Sequence, residues 1–321
     1  MLKRIILIIV LLALIVSLMG CQPVQNAIHE ETTRSPHIGS LEESYYMVAF
    51  LKGLDYWEYC YEGFEDAANA RGVRSYYQGA DTSSIDQNIR VLEGIIAKSP
   101  SGIAISCVSP EPYEDIIQKA IDTGIQVVTY DSDSENSGRT CFIGTGNIEA
   151  GEGAGLRMQS KLPKANIILV YSDDLECSMD RIVGFEKTLS GKEQYNVIAK
   201  VDDRGDLSSG IRKMKETLQS NQEVDVVFCS SGIASASTVT AIKELGREGI
   251  MVIAWDVNKI VLDAIEDEVV ESTIAQGMYS MGYWSLEVLF ASEHNLTKSR
   301  FPSFIDTGYE FITKDSIDKF R

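Results

Sequence analysis

The chain has 321 residues, of which 44% are hydrophobic and 24% are charged, and its formal net charge is −18. At roughly 150 residues per domain, this length predicts two domains. The acidic balance argues against electrostatic binding to nucleic acid or to an anionic membrane surface.

The amino-terminal segment predicts export and membrane anchoring. Two basic residues precede an apolar run over residues 5–19, which is shorter than the roughly 20 residues of a membrane span and has the charged start of a secretory signal. Gly20 and Cys21 follow the run, and "LMGC" (residues 18–21) resembles the bacterial lipobox, so we expect residues 1–20 to be removed and Cys21 to carry lipid. A plain signal peptide and an uncleaved anchor are the alternatives. Residues 21–40 are mostly polar and lack periodicity, as in a flexible tether.

From residue 45 onward, short β-rich runs alternate with amphipathic stretches. The predicted strands are residues 45–50, 102–106, 126–130, 166–171, 195–201, 224–230, 251–255 and 271–276. The predicted helices are residues 56–71, 87–97, 111–124, 147–162, 178–190, 207–219, 233–246, 258–266 and 279–292. Strict β–α alternation predicts parallel sheets that are covered by helices on both faces, and the number of strands favours two sheets over one.

The sequence offers little material for catalysis or for a metal site. Of three histidines, two lie in the predicted tether, so no Ser/His/Asp or Cys/His set can form in the folded part and no enzyme is expected. The cysteines beyond Cys21 form no CxxC pair. The acidic loop 131–136 lacks the glycine and the glutamate of a calcium loop. The glycines of residues 144–155 do not fit a dinucleotide loop, because Glu149 stands where the third glycine is required. No metal or cofactor is therefore expected.

Two predicted strands end on the same acidic residue. "QVVTYD" ends at Asp131 and "MVIAWD" ends at Asp256. In open α/β sheets, ligands bind outside the carboxyl ends of the strands. Both carboxylates are therefore expected at a binding edge, where they face a polar ligand or an arginine. The alternative is that each aspartate only caps the turn or helix that follows.

Seven segments, in order and at appropriate spacing, resemble the periplasmic sugar-binding proteins of ribose/galactose type, which are related to the lac repressor core. The segments are "YYMVAFLKGLDYWEYCYEGFEDAANARG", "GIQVVTYDSD", "IGTGNIEAGEGAG", "DRIVGF", "VVFCSSGIASA", "MVIAWD" and "STIAQGMYSMG". The resemblance covers about residues 43–313. It implies an α/β fold of two Rossmann-like lobes, the type I periplasmic binding protein fold, joined by three hinge crossovers. An export signal stands where the repressors carry a DNA-binding helix-turn-helix, so no nucleic acid partner is expected.

The resemblance also implies the extent of the lobes and a role. The first lobe comprises residues 41–145 plus 277–306, and the second comprises residues 146–276 plus 307–321. The expected protein is a monomeric lipoprotein on the outer face of the cell membrane. It captures a monosaccharide or polyol in the interlobe cleft and delivers it to the permease of an ABC importer. The alternative is a sensor that signals the presence of sugar to a histidine kinase or a chemoreceptor.

Several residues match the family's ligand contacts. Tyr56 and Trp57 match the aromatic pair that stacks on the sugar ring, since a flat apolar face suits sugar C–H groups; ordinary packing at a helix start is the alternative. Arg181 matches the arginine of the second lobe, whose planar donor fork suits sugar oxygens. The alternative for Arg181 is a surface ion pair with Asp180 or Glu186.

The remaining matches are polar residues near the carboxyl ends of strands. Asp131 matches the first-lobe carboxylate, Asp256 the acid of the second lobe, and Gln276 the hinge glutamine. Ser132 stands where the family usually has an arginine, and Ser231 where it often has an asparagine. These departures remove several ribose contacts, so the ligand is expected to be another or a larger sugar, unless ordinary sugar binding has been lost.

Overall fold

The computed structural model describes residues 37–320. The strands are β1 (Ser44–Leu51), β2 (Arg74–Ala80), β3 (Gly102–Ile105), β4 (Gln126–Tyr130), β5 (Phe142–Gly144), β6 (Ala165–Tyr171), β7 (Tyr195–Asp202), β8 (Val226–Cys229), β9 (Met251–Trp255), β10 (Ser272–Gln276), β11 (Phe304–Asp306) and β12 (Tyr309–Ile312). The helices are α1 (Asp55–Arg71), α2 (Ile85–Ile96), α3 (Glu111–Asp122), α4 (Asn147–Lys161), α5 (Glu176–Lys187), α6 (Leu207–Ser220), α7 (Gly232–Leu245), α8 (Lys259–Glu266) and α9 (Met278–Glu293).

The periodicity of the sequence predicts the long elements well and the short ones poorly. Every predicted strand and helix is present, with ends that agree to within about three residues. Strands β2, β5, β11 and β12 were not among the predicted ones. Three of them have only three or four residues, too few for a periodic pattern. Strand β2 lies at a sheet edge, where three of its seven residues are exposed.

The strands form two sheets of the same topology. The first sheet has the order β11-β5-β4-β3-β1-β2, and the second has the order β12-β10-β9-β8-β6-β7. All pairings within them are parallel except that of β10 with β12. Each strand of the first sheet therefore has an equivalent in the second, and β4 is the equivalent of β9. The predicted α/β fold of two similar lobes is confirmed.

Helices cover both faces of each sheet, because alternate side chains of every strand point to opposite faces. In the first sheet, Met47 packs in the cluster formed with α1 and α9, whereas Val48 packs in the cluster formed with α2 and α3. In the second sheet, α4 and α5 cover one face, and α6, α7 and α8 cover the other. The cores are thus two apolar layers in each lobe.

The chain passes from one sheet to the other after β5, after β10 and between β11 and β12. Hydrogen bonds link these passages to one another. The Thr145 hydroxyl donates to Gln276 Oε1 at 3.0 Å, and the Gly146 amide donates to an Asp306 carboxylate oxygen at 3.0 Å. Three strands of chain therefore run side by side between the lobes. The exact lobe boundaries and the hinge motion stay predictions.

The predicted signal peptide and most of the predicted tether lie outside the described residues. Among residues 37–320, no helix combines the length and the apolar character that a membrane span requires.

In each lobe, one pair of helices crosses at two glycines. A Cβ atom on Gly63 of α1 would lie 2.0 Å from the carbonyl oxygen of Tyr279 in α9, and one on Gly282 of α9 would clash with the carbonyl oxygen of Cys60 in α1. In the second lobe, a Cβ atom on Gly151 of α4 would lie 2.0 Å from the carbonyl oxygen of Arg181, and one on Gly184 of α5 would lie 2.0 Å from that of Ile148. The glycine-rich stretch that begins α4 therefore serves close helix packing.

The substitutions Gly151→Ala and Gly184→Ala should each lower the free energy of unfolding by about 1–3 kcal/mol, because the added methyl group forces the two helices apart. Urea denaturation of the purified variants measures this effect. The matched control is Gly94→Ala in α2, where a Cβ atom meets nothing within 4 Å. That substitution should be neutral or stabilise by up to about 1 kcal/mol, since alanine favours the helix. Equal effects at the three positions would contradict the packing account.

Candidate functional site

The two strand-end aspartates occupy equivalent positions in the two sheets. Asp131 directly follows β4 and Asp256 directly follows β9. Both have a left-handed backbone, with φ of 61° and 65°. This conformation is uncommon for a residue other than glycine, although aspartate tolerates it better than most. Each aspartate also follows a fully buried aromatic residue, Tyr130 or Trp255. The same local structure therefore places one carboxylate at the carboxyl edge of each sheet.

In the first lobe, three hydroxyl groups donate to Asp131. Tyr56, in the first turn of α1, donates to Oδ1 at 2.5 Å. Ser132 donates to Oδ2 at 2.9 Å, and Ser106, which follows β3, donates to the same oxygen at 3.2 Å. Asp131 is partly buried, so these hydrogen bonds replace part of the hydration that its charge has lost.

Trp57 lies in the core beneath this group. Its side chain is 8% exposed and packs edge-on against Tyr56, with ring centres 4.9 Å apart, and against Tyr130, with ring centres 5.9 Å apart. Trp57 therefore packs as an ordinary core residue at a helix start, the alternative considered from the sequence. Its indole holds in place the ring of Tyr56, which donates to Asp131. Stacking of Trp57 itself on a ligand stays a prediction.

In the second lobe, Arg181 is the central polar residue. It lies on α5 and is only 4% exposed. Its Nε donates to Asn147 Oδ1 at 2.8 Å, Nη1 to the carbonyl oxygen of Ser230 at 2.9 Å, and Nη2 to Gln276 Oε1 at 3.3 Å. The guanidinium carbon also lies 3.9 Å from the ring centre of Trp255, a cation–π contact. Arg181 is thus a buried cation held from several sides, and the surface ion pair considered from the sequence does not form.

Gln276, at the end of β10, joins Arg181 to Asp256. Its amide nitrogen donates to Asp256 Oδ1 at 2.8 Å, and its amide oxygen accepts from Arg181 and from Thr145. Helix α8 begins with a different capping residue, Asn258. Asp256 therefore does not cap this helix, and Gln276 ties the carboxylate, the guanidinium and the passage between the lobes together.

Burial and charge act against each other at the two carboxylates. Burial raises the pKa of Asp131, while the hydrogen bonds from Tyr56 and Ser132 and the positive charge of Arg181 lower it. Burial likewise raises the pKa of Asp256, while the charge of Arg181 and the hydrogen bond from Gln276 lower it and the charge of Asp131 raises it. The charge of Arg181 thus affects a carboxylate in each lobe. With both carboxylates ionised, these three groups carry one net negative charge, which disfavours an anionic ligand.

The structure places the other predicted site residues as follows. Ser132 joins the hydroxyl groups around Asp131. Ser231 is 7% exposed and caps α7, where its side chain accepts a hydrogen bond from the Ala234 amide at 3.1 Å. Sequence reasoning missed Ser106 and Ser230, although each is the last residue of a predicted strand and directly follows the observed strand, at the same edge as the two aspartates. Their position at the carboxyl end of a predicted strand could have identified them as candidate site residues.

Among the described residues, no group of three or more His, Cys, Asp or Glu side chains is arranged to hold a metal ion. The polar groups described above are hydroxyls, amides, the carboxylates of Asp131 and Asp256 and the guanidinium of Arg181, and together they can donate to and accept from a ligand that carries several hydroxyl groups.

Comparison with known proteins also indicates a binding protein. Residues 45–293 match the family model described as a periplasmic binding protein domain. A xylose/arabinose-binding protein of Sulfolobus acidocaldarius is 22% identical over 276 residues, which cover 80% of this chain and 68% of that protein.

Two solved structures are similar over almost their whole length. The arabinose-binding protein AraP from Geobacillus stearothermophilus is 33% identical with a TM-score of 0.82, and the match covers 87% of this chain and 99% of that chain. The sugar-binding protein of a sugar ABC transporter from Bacillus halodurans is 34% identical with a TM-score of 0.84, and the match covers 87% of this chain and 100% of that chain.

Proposed function

Because the chain belongs to the periplasmic binding protein domain family, we propose that it captures a monosaccharide or polyol between its two lobes and delivers it to an ABC importer. The family is one of extracytoplasmic binding proteins and not of enzymes, in agreement with the lack of catalytic residues in the sequence. The relatives named above bind arabinose or xylose by their names, or belong to a sugar ABC transporter. A neutral pentose is therefore the first ligand to test.

The observation that carries this proposal is the placement of Asp131 and Asp256 at equivalent strand ends, with Arg181 joined to Asp256 through Gln276. A sugar hydroxyl can donate to a carboxylate and accept from a guanidinium, so a polyhydroxylated ligand can satisfy both lobes at once. A neutral ligand also adds no charge to a cleft whose carboxylates are already partly buried. Ligand contacts to both lobes would favour the closed arrangement over the open one.

Anchoring and delivery extend the proposal. The apolar segment that ends in Cys21 supports a lipoprotein on the outer face of the membrane, where a lipid holds the receptor close to its permease. Uptake of the bound sugar by a strain that lacks this chain separates transport from sensing. Lost uptake favours the importer, and normal uptake with a lost transcriptional response favours the sensor considered from the sequence.

Cys21→Ala should abolish incorporation of a labelled fatty acid into the protein, because the thiol at residue 21 is the expected attachment point. Metabolic labelling in the native host, followed by purification of the chain, measures incorporation. The control is Cys177→Ala, which leaves the proposed attachment site intact and should keep the label. Equal labelling of wild type and the Cys21 variant would contradict lipidation at this residue.

Asp131→Ala and Asp256→Ala should each weaken sugar binding by about tenfold or more, since a hydrogen bond to a charged group contributes roughly 1.5–3 kcal/mol. A thermal-shift screen of pentoses and polyols, beginning with arabinose and xylose, first identifies the ligand. Calorimetry with that ligand then gives the affinity of each variant.

The matched control for these variants is Asp86→Ala, which removes an exposed carboxylate from α2 and should leave the affinity unchanged. If either strand-end variant binds as tightly as wild type, that aspartate does not contact the ligand, and the proposed two-lobe site is wrong for its lobe.

A further inference from the structure

A row of aromatic rings crosses the outer surface of the first lobe. It consists of Tyr59 on α1 and of Tyr279, Tyr283 and Trp284 on α9, and we refer to it as the aromatic row. Consecutive ring centres are 6.1, 6.3 and 5.9 Å apart. Tyr59 and Trp284 are each 47% exposed. Contiguous exposed aromatic surface on a soluble domain commonly marks an interaction site, and Tyr and Trp are enriched in protein interfaces.

The same two helices carry a large surplus of negative charge. Helix α1 has five acidic residues and α9 has two, against a single basic residue, Arg71, which pairs with Glu287. Asp66 touches the aromatic row directly, because it accepts the Tyr279 hydroxyl at 2.8 Å. Glu58 and Glu62 are exposed on α1.

The equivalent helix pair of the second lobe is nearly neutral. Helices α4 and α5 together have five acidic and four basic residues, and they cross at glycines in the same way as α1 and α9. The fold therefore does not require an acidic surface on this helix pair. The combination of acidic and aromatic side chains is specific to the outer face of the first lobe.

The negative charge of α1 and α9 limits which kind of partner can bind to the aromatic row. A second copy of the chain in the same position would set seven acidic residues against seven, and an anionic lipid surface would also be repelled. A cationic partner suits both parts of the surface, since a guanidinium stacks on Tyr and Trp faces and pairs with carboxylates. The chain shows this contact elsewhere: the Arg71 guanidinium lies 5.2 Å from the Phe290 ring centre, and that of Arg157 lies 4.9 Å from the Phe311 ring centre.

We propose that the aromatic row and the acidic residues beside it dock an arginine-bearing segment of a protein partner. Both helices begin at the sheet edge that carries the cleft: the first turn of α1 supplies Tyr56, and α9 begins two residues after Gln276. The docked segment therefore contacts the lobe that holds one half of the site. The proposal depends on the outer surface alone and stands whether or not the proposed sugar binding holds.

A labelled dodecapeptide with four arginines on one helical face tests the proposal, with a tetra-lysine version of the same peptide for comparison. Fluorescence anisotropy at about 0.15 M salt, where surface charges are screened beyond roughly 8 Å, measures binding to the wild-type chain. Two variants remove the proposed surface. The substitutions are Tyr59→Ala with Trp284→Ala, and Glu58→Lys with Glu62→Lys. The control, Glu193→Lys with Glu248→Lys, makes the same charge change at exposed positions of the second lobe.

The arginine peptide should bind wild type and the control with equal affinity. Its affinity for each of the two surface variants should be lower by about tenfold or more. The lysine peptide should bind wild type several-fold more weakly than the arginine peptide, because an ammonium group does not stack on a ring as a planar guanidinium does. Thermal unfolding verifies that each variant is folded. The proposal is overturned if the arginine peptide does not bind wild type, if the surface variants bind it as tightly as wild type does, or if the control loses as much affinity as they do.

Discussion

One buried cation, Arg181, lowers the pKa of two carboxylates from different lobes, and Gln276 joins it to one of them, Asp256. A partly buried carboxylate tends to take up a proton, because burial disfavours the charged form. The charge of Arg181 opposes this tendency at both Asp131 and Asp256. The charge of Asp131 raises the pKa of Asp256, so without Arg181 the two carboxylates would only repel each other. Arg181 is itself fixed by Asn147, by a main-chain carbonyl and by the face of Trp255, so its charge cannot swing away to solvent.

The two lobes solve the same local problem with different chemistry. In each, a buried strand ends on an aromatic residue and then on an aspartate in the left-handed conformation. In the first lobe, neutral hydroxyl groups satisfy the carboxylate. In the second lobe, Gln276 does so, and it also accepts from Arg181. The repeated backbone conformation positions the two carboxylates. Because their hydrogen-bond partners are neutral, Arg181 is the single cation in this group of residues.

The sequence predicts the elements and the edge that carries the site because both depend on local pattern. Buried apolar runs that end in aspartate gave the bounds of β4 and β9 without error, and helical periodicity located α5 with Arg181 on it. Contacts between distant residues leave no such pattern. Thr145 and Gln276 are 131 positions apart, and Gly151 meets the backbone of α5 only after the chain has folded. The same limit applies to Trp57, since burial beneath Tyr56 depends on how α1 packs against β4 rather than on its own position in the helix.

The pKa values of the Asp131 and Asp256 side chains, measured without ligand in wild type and in Arg181→Met, test the central claim most directly. NMR titration of the carboxyl carbons gives both values, and Asp131→Asn and Asp256→Asn assign the two signals. If the charge of Arg181 keeps both carboxylates ionised, both pKa values should be higher in the variant than in wild type, since burial then acts with less opposition. Unchanged pKa values at both aspartates would contradict the account, because Arg181 would then exert no field across the cleft.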